Sequence, residues 1–190
     1  FSCSEELISL YNSFDDQVIK DLRLNAFFED NGDEQYRVSK VGEKVYDCFA
    51  IRSVELYLNK AEAEAMLDKA EAIQTIKTLL NNRFEGGIPD IDGLSGKDLV
   101  SFIRDERRRE LCFEAHRWFD LRRYAVSPKY PEKKSIRHTA YDIKGKLEGD
   151  YVLKPYGEDP AWVLPIPGYE IVYNQGNLVD NPQRVDRELE

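Results

Sequence analysis

The amino-acid sequence predicts a mainly α-helical fold, in which antiparallel helical hairpins are joined by long irregular loops and short strands. Three observations carry this prediction. Apolar residues recur at three- and four-residue spacing in two successive segments, 50–66 and 69–83, and this is the period of a helix. A highly charged segment, 97–124, keeps the same period in its apolar residues. The rest of the chain shows little periodicity and is interrupted by glycine and proline, which is typical of loops and short strands.

Size and charge limit the classes of protein to which the chain can belong. Its 190 residues are enough for one domain of ordinary size or for part of a larger one. Hydrophobic residues make up 42 %, enough to bury a core, and the net charge of −9 disfavours a nucleic-acid binder that depends on a basic field. The chain opens on Phe1 rather than Met, so we expect a processed chain or a fragment.

Metal and cofactor sites find no support in the residue spacing. The three cysteines, Cys3, Cys48 and Cys112, form no CxxC pair, and His116 and His138 complete no zinc-type pattern. No apolar run approaches the roughly 20 residues that span a membrane. We therefore expect no metal and no cofactor, and we interpret each cysteine as a small buried apolar residue.

The first 49 residues predict short elements. Ser4 has the residue type that caps a helix, and the two glutamates after it suit the first helical turn. An alternating segment ends at Gly42, which predicts a turn. The predicted elements are a helix over 5–11, a helical turn over 14–22, a strand over 24–28, and a hairpin of 36–41 with 44–46.

Residues 50–83 predict a pair of antiparallel helices. Val54, Leu58 and Ala61 share one face of the first helix, and Asp68 marks the turn that follows it. So short a turn makes an αα-hairpin. The pair occupies about 34 residues, the length of a tetratricopeptide unit, so we describe the predicted core as tetratricopeptide-like.

The arginine-rich segment predicts one long helix over 97–124, after a glycine-rich loop at 85–96. On such a helix, Glu106, Glu110 and Arg117 fall within an apolar stripe, and a second face is apolar as well. A helix that is apolar on two sides is packed between other elements. Charges in that position need partners, because an unpaired buried charge costs several kcal/mol.

We therefore predict a structural ion-pair network across the helical core. Helical spacing brings Glu106 within reach of Arg109, and the preceding hairpin supplies further partners. The predicted members are Arg52, Glu55, Glu62, Glu106, Arg109, Glu110 and Arg117. Two alternatives remain open. The arginines could bind an anion, although interleaved acids weaken their field, or Glu106 and Glu110 could act as an acid/base pair, although neighbouring arginines would lower both pKa values.

The last 65 residues predict irregular structure. Prolines interrupt the apolar segment 162–167, so we expect an extended or edge segment there, followed by one helical turn over 169–173. The candidate recognition loops are 27–46 and 130–156, and the second is rich in tyrosine and polar residues. Because the helices are committed to packing, recognition is expected on loops. The tyrosines Tyr141 and Tyr151 are the candidate ligand-binding residues, although either could instead pin the loop to the helices.

Together these motifs resemble the C-terminal part of the SusD/RagB family. The resemblance rests on SEEL at 4–7, IRSVELYLNKAEA at 51–63, LNNR at 80–83, IRDERRRELCFEAHRWFDLRR at 103–123, LPIP at 164–167 and NP at 181–182. It covers nearly the whole chain. One departure is Ala115, where the family usually has glycine.

The resemblance implies a fold and a function. Members of the family are surface lipoproteins of Bacteroidetes, about two to three times as long, that bind nutrients, mostly glycans, and cap a SusC-type TonB-dependent transporter. It implies an outer-membrane protein, lipid-anchored through an N-terminal cysteine outside this chain, with no catalytic activity. It also implies a middle region (1–49), a helical core (50–125) and an irregular C-terminal region (126–190) within one domain of a longer protein. The alternative functions are a tetratricopeptide-like protein-interaction scaffold and a glycoside hydrolase.

Overall fold

The computed structural model describes residues 3–14, 18–32, 36–40, 52–182 and 189. Among these residues, more lie in helices than in strands, and the strands are short. The predicted mainly α-helical fold class is therefore confirmed. The chain forms two compact units, Phe1–Trp118 and Phe119–Glu190. The division of the chain into 1–49, 50–125 and 126–190 stays a prediction.

In the described residues, the first unit is built on helices, with two short strand pairs. Ser4 caps the first helix as predicted, because its side chain accepts a hydrogen bond from Leu7 N at 3.4 Å. The elements in chain order are α1 (Glu5–Asn12), β1 (Lys20–Asp21), α2 (Arg23–Phe27), β2 (Phe28–Asp30), β3 (Tyr36–Val38), α3 (Ser53–Met66), α4 (Glu71–Leu80), β4 (Phe84–Glu85) and α5 (Gly96–Glu110). Strand β1 pairs with β4 and β2 pairs with β3, both antiparallel.

The predicted helical hairpin is the centre of this unit. Helix α3 packs against both α4 and α5. It buries Leu58, Ala61 and Ala65, and small side chains at this spacing let a neighbouring helix approach closely. Ile76 of α4 and Ile103 of α5 are fully buried. The hairpin predicted from the periodicity of 50–83 is therefore confirmed.

Two predictions for the N-terminal segments differ from the structure. The stretch 24–28 is the helix α2 followed by the start of β2, not a strand. Of the helical turn predicted over 14–22, residues 15–17 lie outside the described residues, and 20–21 form β1 instead, because Lys20 and Asp21 pair with Glu85 and Phe84. The strand beginning at Tyr36 pairs with β2. Its predicted partner, residues 44–46, lies outside the described residues, so that hairpin stays a prediction.

The predicted continuous helix over 97–124 is also wrong. Helix α5 ends at Glu110 and the next helix begins at Arg117. Between them Phe113 and Ala115 adopt left-handed backbone, with φ of 61° and 62°. Phe113 and Arg117 therefore do not continue the α5 stripe that contains Glu106. The break takes Glu114 out of helical register, and its carboxylate pairs with Arg52 and Lys40.

We predict that Ala115→Gly will stabilise the protein by about 0.5–1 kcal/mol. Ala115 carries a Cβ in the left-handed region, where an L residue is disfavoured by about 1–2 kcal/mol and glycine is not. Part of that gain is offset because glycine is more flexible in the unfolded chain. Urea unfolding would measure the difference. Ala63→Gly, an exposed position inside α3, is the matched control and should lose about 0.5–1 kcal/mol. Equal losses in both variants would contradict the strain argument.

Within its described residues, 119–182 and 189, the second unit contains one β-hairpin and short helices. Its elements are α6 (Arg117–Ala125), β5 (Ile136–Tyr141), β6 (Leu147–Leu153), a 3₁₀ turn (Pro160–Trp162) and α7 (Gly168–Tyr173). Helix α6 begins two residues before the boundary between the units. Trp162 is buried, and its indole N–H donates to the Lys154 carbonyl at 2.7 Å. The helical turn predicted over 169–173 is confirmed as α7.

Candidate functional site

The loop in which recognition was predicted contains the hairpin of β5 and β6. The strands are antiparallel, with Ile136 opposite Leu153 and His138 opposite Tyr151. The register shifts after Ala140, so that Tyr141 lies opposite Leu147. Ile136 and Ala140 are half-buried on one face of β5, whereas Arg137, Thr139 and Tyr141 are exposed on the other, so one face of the hairpin is more covered than the other.

The turn of this hairpin is held by its own hydrogen bonds. The Asp142 carboxylate accepts from the backbone N–H of Lys144 and of Lys146, each at 2.8 Å. Gly145 donates to the Asp142 carbonyl at 2.9 Å, and its φ of 78° is the left-handed conformation that glycine adopts at no steric cost. The turn is therefore internally fixed, and it holds the two strands in register.

The two candidate tyrosines lie on opposite faces of the hairpin. Successive side chains of a strand point to opposite faces, and residues directly opposite each other share a face. Tyr151 is opposite His138, whereas Tyr141 is three positions from His138 on the same strand. A single sugar ring therefore cannot contact both tyrosines. Tyr141 is 62 % exposed and Tyr151 is 39 % exposed.

The face that carries Tyr141 also carries an ordered polar cluster. The Asp150 carboxylate accepts from the Arg137 guanidinium at 2.7 Å and from the Thr139 hydroxyl at 2.7 Å. These hydrogen bonds, the Arg137 bond first, hold the pKa of the Asp150 carboxyl below its ordinary value. We call this surface the Tyr141 face; it comprises Arg137, Thr139, Tyr141, Leu147, Asp150 and the half-buried Val152.

The opposite face is less open. Ile136, Ala140 and Leu153 are half-buried there, while His138 and Tyr151 are exposed. It therefore offers an aromatic ring and an imidazole, but its remaining side chains are apolar and partly covered. Of the two predicted residues, Tyr141 has the surroundings that combine an aromatic ring with fixed polar groups.

The other predicted set, the ion-pair network, lies in the first unit and begins at Glu106. This glutamate is fully buried, and Arg23 donates to its two carboxylate oxygens at 2.5 and 3.1 Å. Arg109 donates to the same carboxylate at 2.9 Å. Burial alone would raise the pKa of Glu106, but Arg23 and Arg109 outweigh it and lower the pKa to about 2. Arg23 is itself held by Asp21 at 2.7 Å.

Glu110 is the second centre of the network. Its carboxylate accepts from Arg83 at 2.7 and 3.1 Å, from Arg52 at 3.3 Å and from Arg23 at 3.2 Å. Glu110 is only 1 % exposed. Three other segments of the chain thus meet α5 at one carboxylate, and Asp21, Glu106 and Glu114 help to balance the charges of the three arginines.

The remaining members connect the helices around these centres. Glu114 accepts from Arg52 at 2.7 Å and from Lys40 at 2.6 Å. Two further pairs join α3 to α5, namely Glu62 with Arg104 at 3.2 Å and Glu55 with Arg107 at 3.4 Å. Arg117 is half-buried at the first position of α6.

Seven of the described contributors to this network were missed by sequence reasoning. They are Asp21, Arg23, Lys40, Arg83, Arg104, Arg107 and Glu114, and each contacts another member. Arg23 had a detectable signal, because a lone arginine between two leucines is unusual on an apolar segment unless an acid meets it. Lys40, in the alternating segment 36–41, and Arg83, after two asparagines, offered no such signal.

The described part of the chain contains neither a metal-binding cluster nor a membrane-spanning helix. No group of three or more His, Cys, Asp or Glu side chains there is placed to hold a metal ion. None of the helices in that part of the chain combines the length and the apolar composition that a bilayer crossing requires.

Comparison with known proteins identifies the family. The sequence model of the SusD family matches residues 19–183, which is most of the chain. The chain therefore belongs to the SusD family, the family to which the sequence motifs pointed.

Two relatives come from Formosa agariphila. SusD-like protein P2 is 26 % identical over 147 residues, which cover 70 % of this chain and 25 % of the relative. SusD-like protein P38 is 39 % identical over 77 residues, which cover 37 % of this chain and 15 % of the relative. The chain thus spans a quarter or less of the length of each. No solved structure gives a significant match.

Proposed function

We propose that the protein is the nutrient-binding component of a TonB-dependent uptake system, that it binds glycans, and that it works with a SusC-like transporter. Membership of the SusD family supports this proposal. The proposal includes a location at the cell surface, on the outer membrane, with a lipid anchor on an N-terminal cysteine outside this chain. The exposed face of Tyr141 is the observation that carries the binding role.

Glycan binding fits the chemistry of the Tyr141 face. A tyrosine ring offers an apolar surface to the C–H groups of a sugar, and neighbouring polar side chains take up its hydroxyl groups. Tyr141 supplies the exposed ring, while Arg137, Thr139 and Asp150 supply donors and acceptors in a fixed arrangement. Fixed groups cost less conformational entropy when a ligand binds.

A non-catalytic role is part of the proposal. A glycoside hydrolase needs one carboxyl group with a raised pKa, but the pKa of Glu106 is lowered to about 2. Glu110, its neighbour one helical turn away, is enclosed by Arg23, Arg52 and Arg83. Both carboxylates are buried, so a polymeric substrate has no access to them.

We predict that Tyr141→Ala will weaken glycan affinity about tenfold, roughly 1.4 kcal/mol, because the stacking surface is removed. Tyr151→Ala should change affinity less than about twofold if the ligand occupies the Tyr141 face alone. An oligosaccharide screen would first identify a ligand, and calorimetric titration would then compare the variants. Tyr169→Ala, at another exposed tyrosine on α7, is the matched control.

The same screen separates the alternatives. Sugar that is bound and recovered intact supports the binding protein, whereas chromatographic detection of shorter products would support a hydrolase. Binding of peptides but of no sugar would favour the tetratricopeptide-like scaffold. Unchanged affinity in Tyr141→Ala, with an intact circular dichroism spectrum, would remove the Tyr141 face from the binding site.

A further inference from the structure

We propose that the Tyr141 face selects neutral, hydroxyl-rich glycans over anionic ones such as uronate or sulfated polymers. This inference rests on the proposed function, because it names the class of sugar that the same site takes. It is carried by the pairing of Arg137 with Asp150 and by the position of that pair beside Tyr141 and Leu147.

The charge of the site is already balanced. Arg137 is the cation of the Tyr141 face, and its guanidinium lies 2.7 Å from the Asp150 carboxylate. An anionic sugar that paired with Arg137 would have to displace Asp150 or bind beside it. Either arrangement places two negative charges next to each other, which is unfavourable. The net charge of −9 on the chain adds to this repulsion at low salt.

The hydrogen-bonding groups suit hydroxyl donors. An ionised carboxylate only accepts hydrogen bonds, and each of its two oxygens can accept more than one. Asp150 uses one oxygen for Arg137 and the other for Thr139, so both retain accepting capacity. Sugar hydroxyl groups can donate to these oxygens, whereas a sulfate or an ionised uronate group cannot. Because Asp150 is held from two sides, it is positioned before the ligand arrives.

The apolar part of the face suits the ring of an uncharged sugar. Tyr141 and Leu147 are cross-strand partners, 62 % and 59 % exposed, and so form an apolar surface next to the polar cluster. A pyranose ring can place its C–H groups on that surface while its hydroxyl groups reach Asp150 and Thr139. The contact between apolar groups needs no charge on the ligand.

In a competing arrangement, lysines of the turn would bind an anionic glycan. Lys144 and Lys146 follow Tyr141 in the turn that Asp142 holds, and they are the cations that an anionic polymer would use. If they recognised the ligand, removing their charges would abolish binding and added salt would weaken it. The two arrangements therefore predict opposite responses to variants of Asp150 and of the two lysines.

Affinity electrophoresis of the full chain would test the inference. Neutral probes are laminarin, galactomannan and xylan; anionic probes are alginate, polygalacturonate and λ-carrageenan. We expect retardation by at least one neutral polymer, unchanged by 0.3 M NaCl, and none by the anionic polymers at that salt concentration. Asp150→Asn, which keeps the shape but removes the charge, and Tyr141→Ala should each weaken binding at least fivefold. Lys144→Gln and Lys146→Gln should change it less than twofold.

The outcomes separate this inference from the proposed function. Retardation by anionic polymers that is lost in the lysine variants would overturn the inference and leave glycan binding in place. Retardation by a neutral polymer that is unaffected by both Tyr141→Ala and Asp150→Asn would also overturn it, because the ligand would then lie elsewhere. Retardation by neither class would contradict the proposed function itself, and with it this inference.

Discussion

Replacing Glu110 by alanine is expected to lower the free energy of unfolding by about 3–5 kcal/mol, the range for removing one partner of a buried ion pair. Glu110 is 1 % exposed and receives hydrogen bonds from Arg23, Arg52 and Arg83. Without its carboxylate, Arg23 and the half-buried Arg83 lose a counter-charge in a place that water reaches poorly. The cost is the uncompensated charge rather than the value of any single contact.

Urea unfolding followed by circular dichroism would measure this loss. Glu71→Ala is the matched control, because Glu71 is an exposed glutamate at the start of α4, where an acid contributes less than about 1 kcal/mol. A variant that fails to fold would give no unfolding transition, so Glu110→Gln, which keeps the shape, should be measured beside it and should lose less. Midpoints of Glu110→Ala and Glu71→Ala that both match the parent would contradict the burial of Glu110.

Acid is expected to remove about 3 kcal/mol of stability through Glu106 alone. Its pKa is about 2 in the folded protein and 4.5 is the ordinary value, so the folded state favours the ionised form. Because the folded pKa is the lower one, this stability is fully present above pH 4.5 and is lost as the pH falls towards 2. Each unit of difference corresponds to about 1.4 kcal/mol.

Unfolding at pH 7, 5, 3 and 2 would show this dependence. Glu106→Gln carries no titratable group at that position, so its stability should fall by about 3 kcal/mol less than that of the parent between pH 5 and pH 2. The comparison uses the change of the unfolding free energy with pH, so the lower stability of Glu106→Gln at neutral pH does not affect it. If the unfolding free energies of the two proteins changed in parallel with pH, the lowered pKa of Glu106 would be contradicted.

The helical core was predictable because its signals are local. The three- and four-residue period of 50–83 specified α3 and α4, and the contact between Glu106 and Arg109 follows from helical spacing. The segments that escaped prediction depend on distant partners. Strand β1 forms because β4 lies beside it, and Arg23 is buried because two glutamates of α5 meet it.

The break after Glu110 was not predictable from residue types. Residues 111–116 contain neither glycine nor proline, the residues that most often end a helix. Two residues nevertheless adopt left-handed backbone, and the ion pairs of Glu114 with Lys40 and Arg52 stabilise that conformation. Local propensity favours the continuous helix, whereas tertiary electrostatics favours the break.

The candidate site was predictable in its residues but not in its geometry. Composition identified Tyr141 and Tyr151 as members of a tyrosine-rich loop. Their faces depend on which residues of β5 and β6 lie opposite each other, and that register is set by the turn around Asp142 and Gly145. A loop without periodicity contains no information about this register. The cluster of Arg137, Thr139 and Asp150 appears only once the strands are paired.

The central claim is that the helical core is committed to packing and that the β5–β6 hairpin recognises the ligand. Hydrogen–deuterium exchange with and without a bound glycan tests it most directly. We predict that the glycan will slow exchange in peptides covering 136–153 and leave exchange in α3 and α5 unchanged. Slower exchange confined to α3 and α5, with 136–153 unaffected, would contradict the claim.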